Sequence, residues 1–465
     1  MRMKTLTIAG ALLLAGTSTI AAAQDAKGTT MQEAIDVAMR SNPQIIEAQM
    51  NKEGIEFERK QAQGLYLPQI GLEASAGIRR LENNTRRTLG IADDELYPLE
   101  AGIVGEWTMI DFGRRRGELL RQAARVDGAS LRVLERSEFI GLQVARQYLD
   151  VILQQRVAAA AQDNATFHRN LVGDLARGVD QGSISVADQQ QAEERLQSAI
   201  VREQEAAQSL EDARISLRSL TGLDIGNVTL PPSLAAAMPP SLEQAIGQAR
   251  TRNPLVRQAQ ADVDAANGAV KSAEGELLPT IGLEVRGRVG EDIDGFQGET
   301  NDIQGRVVMR WDVFDGGINR ARVQEEVRKA SMARYALHQR LREAEEDVRT
   351  AWNALESQGR VLQALDRQAS VSDDLLLSYR SQFNVGRRSL LDVLDAQNTR
   401  FNTQVRLETA RFSQLFAQYQ TLAATNNFLD ALSIAPGAGA GENERERFDY
   451  GPSVPAELQR RRNPR

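Results

Sequence analysis

The residues able to do chemistry in this chain gather in two short stretches, and what they offer is fixed charge and hydrogen bonding. One stretch is Gly386-Arg387-Arg388-Ser389-Leu390-Leu391-Asp392-Val393-Leu394-Asp395. The other is Gly182-Ser183-Ile184-Ser185-Val186-Ala187-Asp188, with glycine, serine and aspartate at the same spacing. Gly386 can take the left-handed conformation that ends a helix, and Ser389 with Asp392 three residues on has the spacing of a capping box that starts the next one. Each stretch therefore reads as the tip of a helical hairpin. Capping alone accounts for Asp392; Asp395 lies a turn further in, where the plain alternative is a solvated helix face. Catalytic chemistry is otherwise missing. His168 and His338 stand alone, without cysteine or carboxylates at metal spacing, and no nucleophile motif or phosphate loop is present. No enzymatic activity, cofactor or metal is expected.

Tips of this kind need long helices behind them. The chain has no proline from Leu99 through Leu230 or from Thr280 through Ala435. Val323, Val327, Ala330, Ala333, Leu337, Leu341, Ala344, Val348, Ala351 and Leu355 step by threes and fours, a coiled-coil stripe with charges elsewhere. A helix from Ile318 to Phe383 would span roughly 100 Å at ~1.5 Å per residue. A narrow apolar stripe stabilises nothing alone, so the return from Ser389 to about Leu432 must supply a lateral partner. The first half does the same from Arg114 to about Ala176, turning at Gly182 and returning from Ser185 to Leu220.

The two halves are copies. Ser41-Asn42-Pro43 answers to Arg252-Asn253-Pro254, each a cap followed by the first residue of a restarted helix, and Leu67-Pro68-Gln69-Ile70-Gly71-Leu72-Glu73 answers to Leu278-Pro279-Thr280-Ile281-Gly282-Leu283-Glu284. After each proline the period changes from about 3.6 to 2. Ile70, Leu72, Ala74, Ala76 and Ile78 alternate with small or charged residues, and the chain returns along Leu99 to Met109; the second copy runs Ile281 to Val289 and back along Ile303 to Trp311. These are four strands with one apolar and one charged face, long enough to cross a bilayer at a tilt. Loops from Arg79 to Pro98 and from Gly290 to Asp302 join them. On the strands alone, a pair of soluble half-buried hairpins fits equally well.

Residues 1–23 have a basic start, a short apolar run and a small-x-small site before Gln24, the parts of a secretory signal. The domain reading is then a first repeat over 24–220 (strand hairpin 68–112), a Pro- and Gly-rich linker over 221–240, a second repeat over 241–432 (strand hairpin 279–315) and a disordered tail over 433–465. Among the 465 residues cysteine is absent, aromatic residues make up 5% and the formal net charge is −7. That composition suits long helices, excludes disulfides and gives no reason to expect nucleic acid. Four strands cannot close a barrel, and lipid tolerates no open edge. Two chains would give eight strands and a lumen filled by side chains; three would give twelve and a wider bore, which the charged face of Glu73, Glu106, Glu284, Arg286, Arg288, Arg306 and Arg310 favours.

With these parts in this order, the chain resembles the outer-membrane efflux proteins, the TolC-like ducts. Ser41-Asn42-Pro43, Leu67 through Leu72, the Phe-Asp-Gly-Gly run from Phe314 and the tip from Phe383 through Asp395 carry the likeness, which covers both copies up to Leu432. It implies an α+β membrane protein: a trimeric twelve-stranded outer-membrane β-barrel, four strands per chain, continued by a long periplasmic α-helical barrel built from two internal repeats. The implied function is that of the exit duct of a tripartite export system. The implied partners are two further copies of the chain, a periplasmic adaptor (membrane fusion) protein, an inner-membrane ABC or proton-driven transporter, and outer-membrane lipid. Asp392 and Asp395 match acidic residues that face the bore near the closed tips, and Asp188 and Arg388 match residues that link neighbouring hairpins. Gly182 and Gly386 match the glycines that dock the adaptor. The chain departs at Phe383, where the family has a tyrosine in that network, and at Ala187, where it has a threonine. The tip run, with Asp347-Val348-Arg349-Thr350-Ala351-Trp352, resembles the branch serving type I protein secretion. The alternative from another class is a secreted, soluble coiled-coil scaffold or adhesion protein.

Overall fold

A computed structural model describes residues 28–443. The signal segment 1–23 and the tail beyond 443 lie outside the described residues. The first copy begins with α1 (Met31–Ser41) and α2 (Pro43–Gly64). At α1 a complete capping box forms: the Thr30 hydroxyl accepts from Glu33 N–H at 3.2 Å, and the Glu33 carboxylate accepts from Thr30 N–H at 2.9 Å. At α2, Asn42 caps Gln44 N–H at 3.0 Å and Pro43 supplies the first helical residue. There follow β1 (Gln69–Ala76), the short β2 (Arg79–Arg80), α3 (Asn84–Thr88), the short β3 (Glu95–Leu96), β4 (Leu99–Ile110), and the hairpin of α4 (Arg114–Asp180) and α5 (Val186–Thr221). The second copy repeats this with α6 (Leu242–Arg252), α7 (Pro254–Gly275), β5 (Thr280–Glu291), β6 (Glu299–Arg310), and the hairpin of α8 (Ile318–Asn384) and α9 (Leu390–Ala424), followed by α10 (Phe428–Ala431).

The long strands form one antiparallel sheet in the order β1-β4-β5-β6, so the two copies lie side by side and the outer edges of β1 and β6 are unpaired among the described residues. Its two faces differ as the alternation requires. On one, Ile70, Leu72, Ile103, Val289, Ile303 and Val307 are exposed with nothing over them. On the other, charges pair across strands: Arg286 with Glu73 at 3.2 Å, Arg288 with Asp302 at 3.1 Å, and Arg306 and Arg310 both with Glu284. An uncovered apolar face opposite a self-neutralised charged one suits hydrocarbon outside and water inside.

The connections differ from the sequence reading. The second strand loop is only 292–298, because β5 and β6 reach further than the alternation of side chains shows. The first, from Arg79 to Pro98, is a small folded cap. Arg86 is fully buried there, donates to Ile91 O at 2.6 Å and Asp94 O at 2.9 Å, and also bonds Gly295 O of the other loop.

α4 and α8 are each 67 residues long, roughly 100 Å at ~1.5 Å per residue. Each packs on its return helix, and α4 also packs on α9, which joins the two hairpins. α9 stops at Ala424, short of the expected Leu432. Asn426 takes a left-handed φ of 55°, and that turn lets Phe428 and Leu429 bury themselves beside Gly141 of α4. The tail, expected to be disordered from 433, is placed as far as 443. Gly437 N–H donates to the Ser137 hydroxyl at 3.0 Å, the Ser130 hydroxyl donates to Glu442 O at 2.6 Å, and Lys52 pairs with Glu442. Backbone polar groups in a groove between α2 and α4 hold a segment that has no apolar periodicity to announce it.

The largest core lies between the sheet and the tips. Met31, Ile35, Ile45, Tyr148, Leu217, Tyr419 and Phe428 meet there. The Tyr148 hydroxyl accepts from Thr229 N–H at 2.8 Å and donates to Thr29 O at 2.7 Å, while Tyr419 donates to Pro232 O at 3.2 Å, so two buried tyrosines fasten 221–240 to the helices. Where strands become helices, Asp111 and Arg115 form a buried pair at 2.8 Å, and Arg115 spends its remaining donors on Thr108 O at 2.6 Å, Leu65 O and Met109 O at 3.2 Å. Just below, α4 and α7 approach glycine to backbone at Gly117, Gly268 and Gly275.

Candidate functional site

The far end of the molecule holds both hairpin tips. Gly182 (φ 71°) and Gly386 (φ 74°) end α4 and α8 in the left-handed conformation, and a side chain added at either would meet nothing within 4 Å. The glycines are therefore required by backbone conformation, and the surface around both is open.

Ser185 and Ser389 start the return helices as caps, but the capping is one-sided. The Ser389 hydroxyl accepts from Asp392 N–H at 3.2 Å and faces the Asp392 carboxylate at 2.9 Å; Ser185 and Asp188 do the same at 3.1 and 2.7 Å. The full box expected from the spacing is not made. Aspartate is one carbon shorter than the Glu33 that closes the box at Thr30, and its carboxylate turns to the serine hydroxyl. Asp392 also lies 3.6 Å from Arg388. Asp395 is exposed and has no hydrogen bond or ion pair among the described residues. Of the two acidic residues it is the one with an uncompensated charge.

Arg388 reaches Gln382 at 3.2 Å and lies over the Tyr379 ring, 4.1 Å from its centroid. Within one chain it does not meet Asp188. Phe383 packs instead into the apolar contact between hairpins, with Leu175 and Ala192 of the first and Leu390 and Leu394 of the second. The Phe383 ring thus works by packing, and the neighbouring Tyr379, one turn earlier on the same face, receives the guanidinium. That tyrosine escaped the sequence reading, although its spacing of four from Phe383 was the available signal.

About two turns into α9 and more than four turns before the end of α4, polar groups meet between the hairpins. Gln397 of α9 donates to Asn164 of α4 at 2.8 Å, and Arg202 of α5 reaches Asn398 at 2.8 Å. One turn below Asn164, His168 is 5% exposed and its Nδ1 has no partner. Sequence reading left it on an ordinary helix face. Burial, with Arg195 and Arg202 nearby, pushes its pKa down to about 4. The unfolded chain takes up that proton near pH 6.5, so the stabilisation is complete above 6.5 and is lost as pH falls toward 4. His168→Leu is expected to abolish the part of the acid destabilisation of the detergent-solubilised protein that lies in this window, read as thermal midpoints from pH 7 to pH 4. Parallel curves for wild type and variant would sink the assignment.

Among the described residues no helix is long and apolar enough to cross a membrane, and no group of three or more His, Cys, Asp or Glu residues is placed to hold a metal. A sheet with unpaired edges and one bare apolar face, continued by two paired helices of this length, defines a β-barrel duct with a helical tunnel. The sequence profile described as "Outer membrane efflux protein" matches residues 34–223 and 245–427, and the chain belongs to that family. It is 25% identical over 423 residues to "Outer membrane efflux protein BepC" of Brucella suis biovar 1 (strain 1330), covering 90% of this chain and 89% of that one. It is 22% identical over 458 residues to "Outer membrane protein TolC" of Escherichia coli (strain K12), covering 93% and 88%. Among solved structures, the Campylobacter jejuni CmeC outer membrane channel superposes with a TM-score of 0.75 at 14% identity, over 86% of each chain. The fold is therefore a trimeric outer-membrane barrel with four strands per chain, continued by a periplasmic helical barrel of two repeats. Family membership also removes the soluble scaffold from consideration.

Proposed function

We propose that this chain forms the exit duct of a tripartite export system, passing substrate from an inner-membrane transporter and a periplasmic adaptor to the outside without energy of its own. The observation that carries the reading is the division of one chain into an open-edged sheet at one end and two helical hairpin tips at the other. The open surface around Gly182 and Gly386 is the adaptor's docking point. Asp392 and Asp395 form two acidic rings at the mouth, of which Asp395 is the stronger cation site because Arg388 offsets the charge of Asp392. Asp188, Arg388 and Phe383 hold the closed state. The tip run and Asp347 through Trp352 favour exported polypeptide as cargo, with or without small molecules.

Single-channel recording in planar bilayers tests the mouth. Three carboxylates at one level bind a multivalent cation far better than one. Asp395→Ala is expected to weaken block by a trivalent cation added on the periplasmic side by roughly tenfold, Asp392→Ala by less, and the double variant by more than either. Conductance should rise only slightly. Unchanged cation sensitivity in the double variant would remove the acidic rings.

A further inference from the structure

Each hairpin packs extensively within itself, α4 along α5 and α8 along α9, whereas the two hairpins meet mainly along one seam between α4 and α9. Toward the tips that seam is apolar, with Leu175 of α4 against Leu390 and Leu394 of α9, and further from them Ala161 meets Phe401. Between these contacts lies a polar stretch. The Gln397 amide nitrogen is taken up by Asn164, but Gln397 Oε1 is buried without a partner, and so is His168 Nδ1. Two unmet polar atoms make this the weakest part of the seam.

His168 has no carboxylate to balance a proton. The charges that act on it are the guanidiniums of Arg195 and Arg202 from α5, and Arg202 is turned across the seam onto Asn398 at 2.8 Å. On its own helix, Arg169 is paired with Glu203 of α5 at 2.7 Å. α9 directs none of its charges there: Asp395 is exposed, and Arg400 is turned to Asp373 of α8 at 2.5 Å. From α8, Arg380 lies over Phe167, the ring that meets His168 at a right angle.

We infer that His168 is an acid-sensitive latch on the seam between α4 and α9, and that its protonation parts the two hairpins and opens the mouth. The inference rests on the reading of the chain as a duct closed at its tips. An imidazolium in this position faces two guanidiniums without an anion, and it is relieved only when the seam separates and water reaches it. Separation there costs little packing, since each hairpin keeps its own. In the closed seam, burial and the two arginines hold the imidazole down to about 4, against 6.5 once it is hydrated. Opening therefore takes up a proton, and between pH 7.5 and pH 5 each copy shifts roughly thirtyfold toward the open form.

The test is single-channel recording of the full-length trimer in planar bilayers, with the periplasmic side stepped from pH 7.5 to pH 5 and the other side held at 7.5. Wild type is expected to spend at least about tenfold more time in a higher-conductance state at pH 5. His168→Gln and His168→Leu, each first shown to be a heat-resistant trimer, should lose that increment. Asp392→Ala/Asp395→Ala, which removes the carboxylates of the mouth, should keep it. An equal increment in both His168 variants, or its loss in the double aspartate variant, would overturn the latch. A wild type that conducts at neutral pH without responding to acid removes the latch alone; one that conducts at no pH removes the duct reading with it.

Discussion

Gly117→Ala is expected to cost the folded trimer more than about 3 kcal/mol, although an alanine in a helix interior ordinarily stabilises by about 1 kcal/mol relative to glycine. A methyl group at Gly117 would lie 2.3 Å from Ser272 N, 2.7 Å from its Cα and 2.8 Å from Gly268 O. All three are backbone atoms of α7, so no rotamer change relieves the contact. Gly268 and Gly275 face the backbone of Arg121 and Arg114 in the same way, each at 2.6 Å from the nearest atom. The two helices can separate only by moving the ends of the strands that feed them. Gly173→Ala, where nothing lies within 4 Å, is the control and should be neutral or slightly stabilising. The resistance of the trimer to heating before gel electrophoresis reports both. A Gly117→Ala trimer as heat-resistant as the control would mean that α4 and α7 do not meet backbone to backbone.

The second large effect is at Glu138. Burial, offset in part by a hydrogen bond from the Leu429 backbone and reinforced by Asp430, raises its carboxyl from 4.5 to about 8. The unfolded chain releases this proton near pH 4.5 while the folded chain keeps it. Its contribution to stability is therefore complete below 4.5 and is lost as pH rises through about 8, at a rate of about 1.4 kcal/mol per pH unit. Glu138→Gln keeps the shape and an acceptor for Leu429 but cannot ionise. Thermal midpoints of wild type and variant should coincide near pH 5 and diverge by pH 9, with the variant higher. A constant offset between the two at every pH would show that Glu138 does not titrate in this window.

The repeats explain why so much of the architecture could be read beforehand. Asn42-Pro43 and Asn253-Pro254 announce their helix starts through local chemistry, and the change of period after Pro68 and Pro279 separates strand from helix without reference to the rest of the fold. What could not be read depends on meetings between distant segments. Asn426 ends α9 because Phe428 has a place beside Gly141, and residues 433–443 settle because Ser130 and Ser137 lie at the right height on α4. At the tips, the glycines and caps were legible from spacing. Whether an aspartate carboxylate faces a backbone amide, a serine or an arginine is decided by one carbon of side-chain length and by the neighbour it finds. His168 and Glu138 look like ordinary polar residues in a long helix; only the packing of other elements over them makes them unusual.

The order β1-β4-β5-β6 has a consequence for how copies combine. The two unpaired edges are different, so every seam joins the last strand of one copy to the first strand of the next, and a ring of three contains three identical seams. A copy with one spoiled edge leaves a breach in whatever ring admits it, however sound its companions. In a cell making both kinds, the share of intact rings would fall as the cube of the fraction of sound copies. Defects confined to β1 or β6 are for that reason expected to be genetically dominant, whereas defects that stop a copy from folding at all remove it from the pool and leave the rest unharmed.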